Sequence, residues 1–206
     1  MLQLKKGVFM IILFGLAGSG KGTQGKALSE IFGWRWLSVG DVIRQTGEFK
    51  EIIDRGELIP DEAVINLMNK QIEKAEAEGF DVILDGFPRD KDQAEWLMEH
   101  MPEKIDGAII LEVPKDELFE RLALRGRDDD MERESIERRF EIFEQNIYSI
   151  LPLLEAKNIP VEYVDGVGLV EEVTDRLVEV IKKIDPDATE QISDVNGGEI
   201  EHSYGE

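Results

Sequence analysis

Gly15-Leu16-Ala17-Gly18-Ser19-Gly20-Lys21-Gly22-Thr23-Gln24 directly follows the apolar run Val8 to Phe14. The run reads as a buried strand, and the glycines turn it into a helix over Gln24 to Ile31 with one lysine at the turn. Glycine lets the backbone curl so that successive N–H groups point inward, and the helix adds the positive end of its dipole. Such a nest binds phosphate. Lys21 then reaches the β- and γ-phosphates of a nucleoside triphosphate. Gly22 stands where loops of this type carry the Ser or Thr that holds magnesium. Thr23 comes one place late, so metal contact is expected to be indirect or to come from another residue.

Composition bounds the rest. The 206 residues suit one domain with an ample core. A net charge of −21 argues against nonspecific nucleic-acid binding, which needs a cationic surface. The acidity fits a salt-loving or merely a very soluble protein, and the sequence does not choose. With no cysteine the chain has no disulfide and no cysteine-ligated zinc. Lys5-Lys6, the run from Val8 and the small residues Ala17-Gly18-Ser19 imitate a secretory signal. Those small residues belong to the phosphate loop, however, and no run approaches the ~20 apolar residues of a membrane span. A cytoplasmic protein without membrane or nucleic-acid partners is the expectation.

Further apolar runs at Val82–Leu84, Ala108–Val113 and Val161–Val164 read as strands, and Trp34, Trp36 and Ser38 at strand spacing suggest a fifth. Helical patterns separate them, which makes an α/β fold around a mostly parallel sheet. Both tryptophans are expected to pack against the sheet rather than to form a ligand platform. Between the strand of Trp36 and that of Val82 lies a helical insert. It has short helices over Asp41–Thr46 and Glu48–Arg55, then a longer one opened by Pro60-Asp61-Glu62 with Val64, Leu67, Met68, Ile72 and Ala75 on one face. From Asp185 the composition turns acidic and polar, and residues 185–206 are expected to form a disordered tail.

Asp85-Gly86-Phe87-Pro88-Arg89 ends the strand Val82–Leu84. In an open α/β sheet ligands bind at the carboxyl ends of strands. Asp85 is therefore placed to act beside the phosphate loop, on magnesium through water, and Arg89 offers a planar cation that grips phosphate with two hydrogen bonds. Two more motifs follow the same order: Ser38-Val39-Gly40-Asp41-Val42-Ile43-Arg44 and Gly56-Glu57-Leu58-Ile59-Pro60-Asp61-Glu62. With GLAGSGKGTQ, ILDGFPRDKDQAEW and GRDDD, these make residues from about Val8 to Ile184 resemble an adenylate kinase of the nucleoside monophosphate kinase family, short-lid type.

The resemblance implies a P-loop kinase three-layer fold over residues 1–184: a five-stranded parallel sheet flanked by helices, a monophosphate-binding arm at 39–68 and a very short lid at 125–134. It implies reversible transfer of the terminal phosphoryl group of ATP to AMP, giving two ADP, by a monomer that uses Mg2+ and no zinc. Gly18, Ser19, Gly20, Lys21, Gly22 and Thr23 would hold the ATP phosphates, with Arg121 and Gly168 beside the ATP base. Arg44 and Arg89 would bind the acceptor phosphate. Val39, Glu57, Leu58, Ile59, Gly86, Phe87, Pro88 and Gln93 would hold the acceptor nucleoside, Gln93 being suited to adenine because its amide both donates and accepts. Arg125, Arg127 and Arg139 would join Lys21 as the clamp on the transferring group, the last two also touching AMP. The chain departs from the family pattern in three places: Ala17 for a common proline; Val39 for the threonine usual before Gly-Asp; and the extreme shortness of the lid.

Helix geometry bears on the arginines independently. Leu118 and Leu122 define an inward stripe that includes Arg125, with Arg121 at its edge. In the long helix after Glu134, Ile136, Phe140, Phe143, Ile147 and Leu154 mark the buried stripe, which Arg139 flanks while Arg138 faces solvent. Inward arginines need anionic company, so Arg121, Arg125 and Arg139 are read as phosphate or nucleotide contacts, and Arg133 and Arg138 as solvated surface. The acceptor is an already ionised monophosphate, so no general base is needed, in keeping with only His100 and His202 in the chain. Three alternatives remain: UMP or CMP as acceptor, permitted by Val39 and the short lid but disfavoured by Gln93; a nucleotide-binding regulator without catalysis; and a P-loop kinase acting on a small metabolite.

Overall fold

The computed structural model describes residues 8–47, 49, 59–126 and 132–188. Five strands, β1 (Met10–Gly15), β2 (Arg35–Ser38), β3 (Val82–Asp85), β4 (Ile105–Glu112) and β5 (Val161–Asp165), form one sheet in the order β2-β3-β1-β4-β5. Every pairing is parallel. Among the described residues seven helices flank it: α1 (Lys21–Phe32), α2 (Val39–Thr46), α3 (Asp61–Ala77), α4 (Lys91–His100), α5 (Lys115–Arg125), α6 (Arg133–Ala156) and α7 (Val170–Ile184). Among the described residues no helix is long and apolar enough to cross a membrane.

β1 is central, and all six of its residues are buried because helices cover both faces of the sheet. Side chains alternate along a strand, and β1 divides accordingly. Met10, Ile12 and Phe14 pack with α3, α4 and α6, whereas Ile11 and Leu13 pack with α1 and α7. Each such side chain contributes about 1.5–3 kcal/mol on burial. The expected face of α3, Val64 through Ala75, is buried throughout.

A third, smaller cluster decides where the cations go. Leu118 and Leu122 of α5 meet Ile136 and Phe140 of α6, with Leu16 and Ala17 of the phosphate loop packed against them. One apolar contact thereby fixes α5 and α6 over the carboxyl end of β1.

One expectation needs correction. The stretch from Asp185 was expected to bury almost nothing, yet Ala188 is 1% exposed and packs into the α1–α7 core. The remaining tail from residue 189, the helix expected over Glu48–Arg55 apart from Phe49, and the lid between 127 and 131 lie outside the described residues. Trp34 behaves as expected, stacked on Phe32 with ring centroids 4.5 Å apart. Trp36 packs against the same core as expected, but its ring also forms part of the wall of the cleft described next.

Candidate functional site

Because all five strands run the same way, their carboxyl ends deliver the loops after β1, β2, β3 and β5 to one edge. There they surround a cleft of about 1310 Å³. Gly18, Ser19, Gly20, Lys21, Gly22 and Thr23 form its floor. Gly20 caps α1 with φ +98°, and Gly18 has φ +87°. A side chain is strained at either angle, and a Cβ on Gly18 would also meet Leu122 Cγ at 3.0 Å. The hydroxyl of Ser19 is buried in this loop with no hydrogen-bond partner. Such orphans are rare in native proteins.

Lys21 Nζ donates to the carbonyls of Gly15 at 2.6 Å and Leu16 at 3.0 Å. Burial depresses its pKa, with Arg89 and Arg125 acting in the same direction and Asp85 opposing them. Asp85 pairs in register with Leu13 and with Ser38, which sets it at the mouth of the loop. Burial raises the Asp85 carboxyl above its ordinary value, while Lys21 is the chief group pulling it down. Both shifts follow chiefly from burial, which disfavours the charged forms, the kind of environment found at working sites.

The other cations arrive on separate elements. Arg44 of α2 pairs with Asp41 one turn earlier. Arg89 follows the cis Phe87–Pro88 bond and donates from Nε to Gly86 O at 2.9 Å. Arg121 of α5 pairs with Glu117 and donates to Gly166 O at 3.0 Å, reaching the turn that carries Gly168. Arg125 lines the cleft from the end of α5 as an exposed residue, so it stands on the lip rather than inside the stripe of Leu118 and Leu122. Half-buried Arg139 lines it from α6. Arg133 is exposed and pairs with Glu137 at 2.9 Å, and Arg138 is exposed, as the helix geometry required.

Most of the expected site residues therefore converge: Gly18 through Thr23, Arg44, Asp85, Gly86, Pro88, Arg89, Arg121, Arg125, Arg139 and Gly168 all border one cavity. Four others do not border it. Val39 is 1% exposed and Phe87 fully buried, both in the α3–α4 core, and Ile59 packs against that core. Gln93, at 2% exposed, holds its amide on Arg89 and Asp61. Glu57, Leu58 and Arg127 lie outside the described residues. The sequence reading also missed residues that do line the cleft. Trp36 and Asp41 are the main ones, and Gln24 donates from Nε2 to Val170 O at 3.1 Å, tying α1 to the turn before α7. Asp41 could have been found from its place in the motif beside Arg44. Trp36 gave no such signal.

A parallel sheet whose central strand feeds a glycine-and-lysine phosphate nest, faced by arginines from an insert and from the α5–α6 hairpin, defines a P-loop nucleoside monophosphate kinase, a phosphotransferase. A family model described as adenylate kinase matches residues 13–159. An adenylate kinase of Thermus thermophilus is 34% identical over 182 residues, covering 81% of this chain and 94% of the relative. One from Micrococcus luteus is 35% identical over 190 residues (84% and 91%), and one from Archaeoglobus fulgidus 32% over 217 (84% and 98%). The chain belongs to the adenylate kinase family.

Proposed function

We propose that this protein moves the terminal phosphoryl group of ATP to AMP, reversibly and with magnesium, to give two ADP, acting as a cytoplasmic monomer. The observation that supports it most is the convergence of cations. Seven Lys and Arg side chains but four carboxylates border the cleft, in a chain with 24 basic and 45 acidic residues. Two nucleotides bring several negative charges together, and only a site built against the chain's own bias could hold them.

The attacking atom is a phosphate oxygen, ionised before it binds. Catalysis then consists of alignment, charge neutralisation and exclusion of water. Gly18 through Thr23 grip the donor phosphates through backbone N–H groups. Lys21 neutralises the oxygens that gain charge during transfer. Arg44 and Arg89 hold the acceptor phosphate, and Arg125, Arg127 and Arg139 complete the clamp. Arg121 and Gly168 flank the donor base. Gln93 faces the acceptor base, and Val39, Glu57, Leu58, Ile59, Gly86, Phe87 and Pro88 shape its surroundings.

The donor set fits magnesium that arrives with ATP. Among the described residues no three His, Cys, Asp or Glu side chains gather as a cage. Asp85, with Asp41 close enough to raise its pKa further, supplies the one or two carboxylates that such an ion needs while keeping most of its waters. When bound near Asp85 and Asp41, the ion would supply positive charge against the transferring phosphate.

The test is diphosphate formation by purified protein, with Mg-ATP and each nucleoside monophosphate in turn. Turnover of AMP above UMP and CMP supports the reading. Turnover of CMP or UMP with none of AMP moves the acceptor to a pyrimidine, and no turnover at all leaves a nucleotide-binding regulator.

A further inference from the structure

We infer that Asp61 fixes which end of the Gln93 amide faces which way, and so acts as a positioning residue that selects the acceptor base. The inference rests on the proposed reading that Gln93 faces that base. Gln93 Oε1 accepts from the backbone N–H of Arg89 at 3.0 Å, and Nε2 donates to Asp61 Oδ1 at 2.7 Å. A backbone N–H can only donate, and an ionised carboxylate can only accept. Turning the amide over would set N–H against N–H and oxygen against carboxylate. The two partners come from different elements: Arg89 borders the cleft, and Asp61 begins α3 in the insert.

Asp90 holds the same turn still, its Oδ1 accepting the Gln93 backbone N–H at 3.0 Å. Burial raises the Asp90 carboxyl against the pull of that N–H, and the neighbouring Asp61 raises it further.

A primary amide has two N–H groups and two acceptor positions. Each end of Gln93 gives one to the protein, which leaves one donor and one acceptor in a fixed sense. Adenine presents a ring-nitrogen acceptor beside an amino donor. Cytosine presents the same pattern, while hypoxanthine, guanine and uracil reverse it. Locked in one sense, the amide pairs with the first two and leaves buried groups unpaired against the other three. Gln93 is 2% exposed, so the base reaches this edge only once its cover gives way.

The experiment measures kcat/KM for AMP and for inosine monophosphate at saturating Mg-ATP. It compares the unaltered protein with Asp61→Leu, Asp61→Ser and Asp61→Asn. Leucine removes the acceptor. Serine accepts or donates, so it allows either amide sense if the leucine variant folds poorly. In both, the AMP preference should fall roughly tenfold or more while KM for ATP stays put. Asparagine accepts or donates as serine does, so it should lose the preference too, and a wild-type ratio in it also overturns the inference. A wild-type ratio in the serine or leucine variant overturns the inference. So does a lower KM for AMP at an unchanged ratio, because Asp61 would then merely compete with the base. If the unaltered protein fails to turn over AMP, it is the proposed function that falls.

Discussion

Gly25→Ala tests the least expected contact in the cleft, the seating of Trp36 on α1. Gly25 is buried in the second turn of that helix. A Cβ there would lie 2.3 Å from Trp36 Nε1, 2.4 Å from Cδ1 and 3.0 Å from Cε2. All three atoms belong to one rigid ring, so no single bond rotation at its far end relieves the overlap. The ring also lies over Gly22, whose Cβ would meet Trp36 Cζ2 at 3.6 Å, and under Lys26 Nζ at 5.4 Å. Alanine improves helix propensity by about 1 kcal/mol, but forcing apart a packed pair costs about 1–3 kcal/mol. The expected net is a loss of about 1 kcal/mol, which lowers the melting temperature by roughly 2–4 °C in a chain of this size. The ring must leave its place beside the phosphate loop, so tryptophan fluorescence should shift and KM for ATP rise. Thermal melts, emission spectra and donor kinetics read all three. A melting temperature raised by 2–4 °C, the propensity gain alone, would refute the seating.

Lys21→Met should lower kcat by about 10²–10³, the usual effect of removing one preorganised donor to a developing charge; a variant that keeps most of its turnover takes Lys21 out of the proposed role. Asp85, whose folded pKa lies above its ordinary value of 3.8, adds stability below that value and loses it as pH rises through the folded pKa. The melting temperature of Asp85→Asn minus that of the unaltered protein should therefore grow as pH is raised from 4, and a flat or falling difference would show that burial does not disfavour the ionised carboxylate. Mg-ATP at a hundredfold its dissociation constant should stabilise the protein by about 2.7 kcal/mol, or roughly 5–10 °C in a melt. No shift at saturating nucleotide would mean that the cleft does not bind it.

The fold and the donor half of the site were legible because local rules carried them. β1 is a continuous apolar run, its loop needs glycine at particular angles, and the stripes of α3, α5 and α6 follow helical period. The arginines of α5 and α6 could be sorted by those stripes, and Arg139, Arg133 and Arg138 fall where the geometry put them. Trp36 packs on the sheet as read, but its place in the cleft wall went unseen, since strand alternation fixes only a face of the sheet. Val39, Phe87 and Gln93 came from motif matching, which fixes a residue's place along the chain but not what its side chain touches. Val39 and Phe87 sit in the core because α2 and the β3–α4 turn must pack before they can shape anything. Ala188 escaped notice because one small apolar residue among polar ones carries no periodicity.

An acidic protein that binds polyphosphate has to keep its cations accessible yet satisfied, and the bonding in the cleft shows how this chain does so. Lys21 rests on two loop carbonyls, Arg89 on Gly86 O, Arg44 on Asp41, and Arg121 on Glu117 and Gly166 O. Each acceptor lies on the same loop, helix or adjoining turn as its cation, so the cation is oriented without spanning the cleft. Phosphate oxygens are stronger acceptors than carbonyls, and bonds between charged partners are roughly twice as strong as neutral ones. Exchange therefore favours the nucleotide, most of all at Lys21 and Arg89, where a neutral acceptor gives way to a charged one. The chain's remaining negative charge does little to oppose this. At physiological salt, exposed charges are screened over about 8 Å, whereas charges withdrawn from water are screened far less. Attraction inside the cleft and repulsion outside it are thus governed by different dielectric surroundings, and the surface can stay acidic without starving the site.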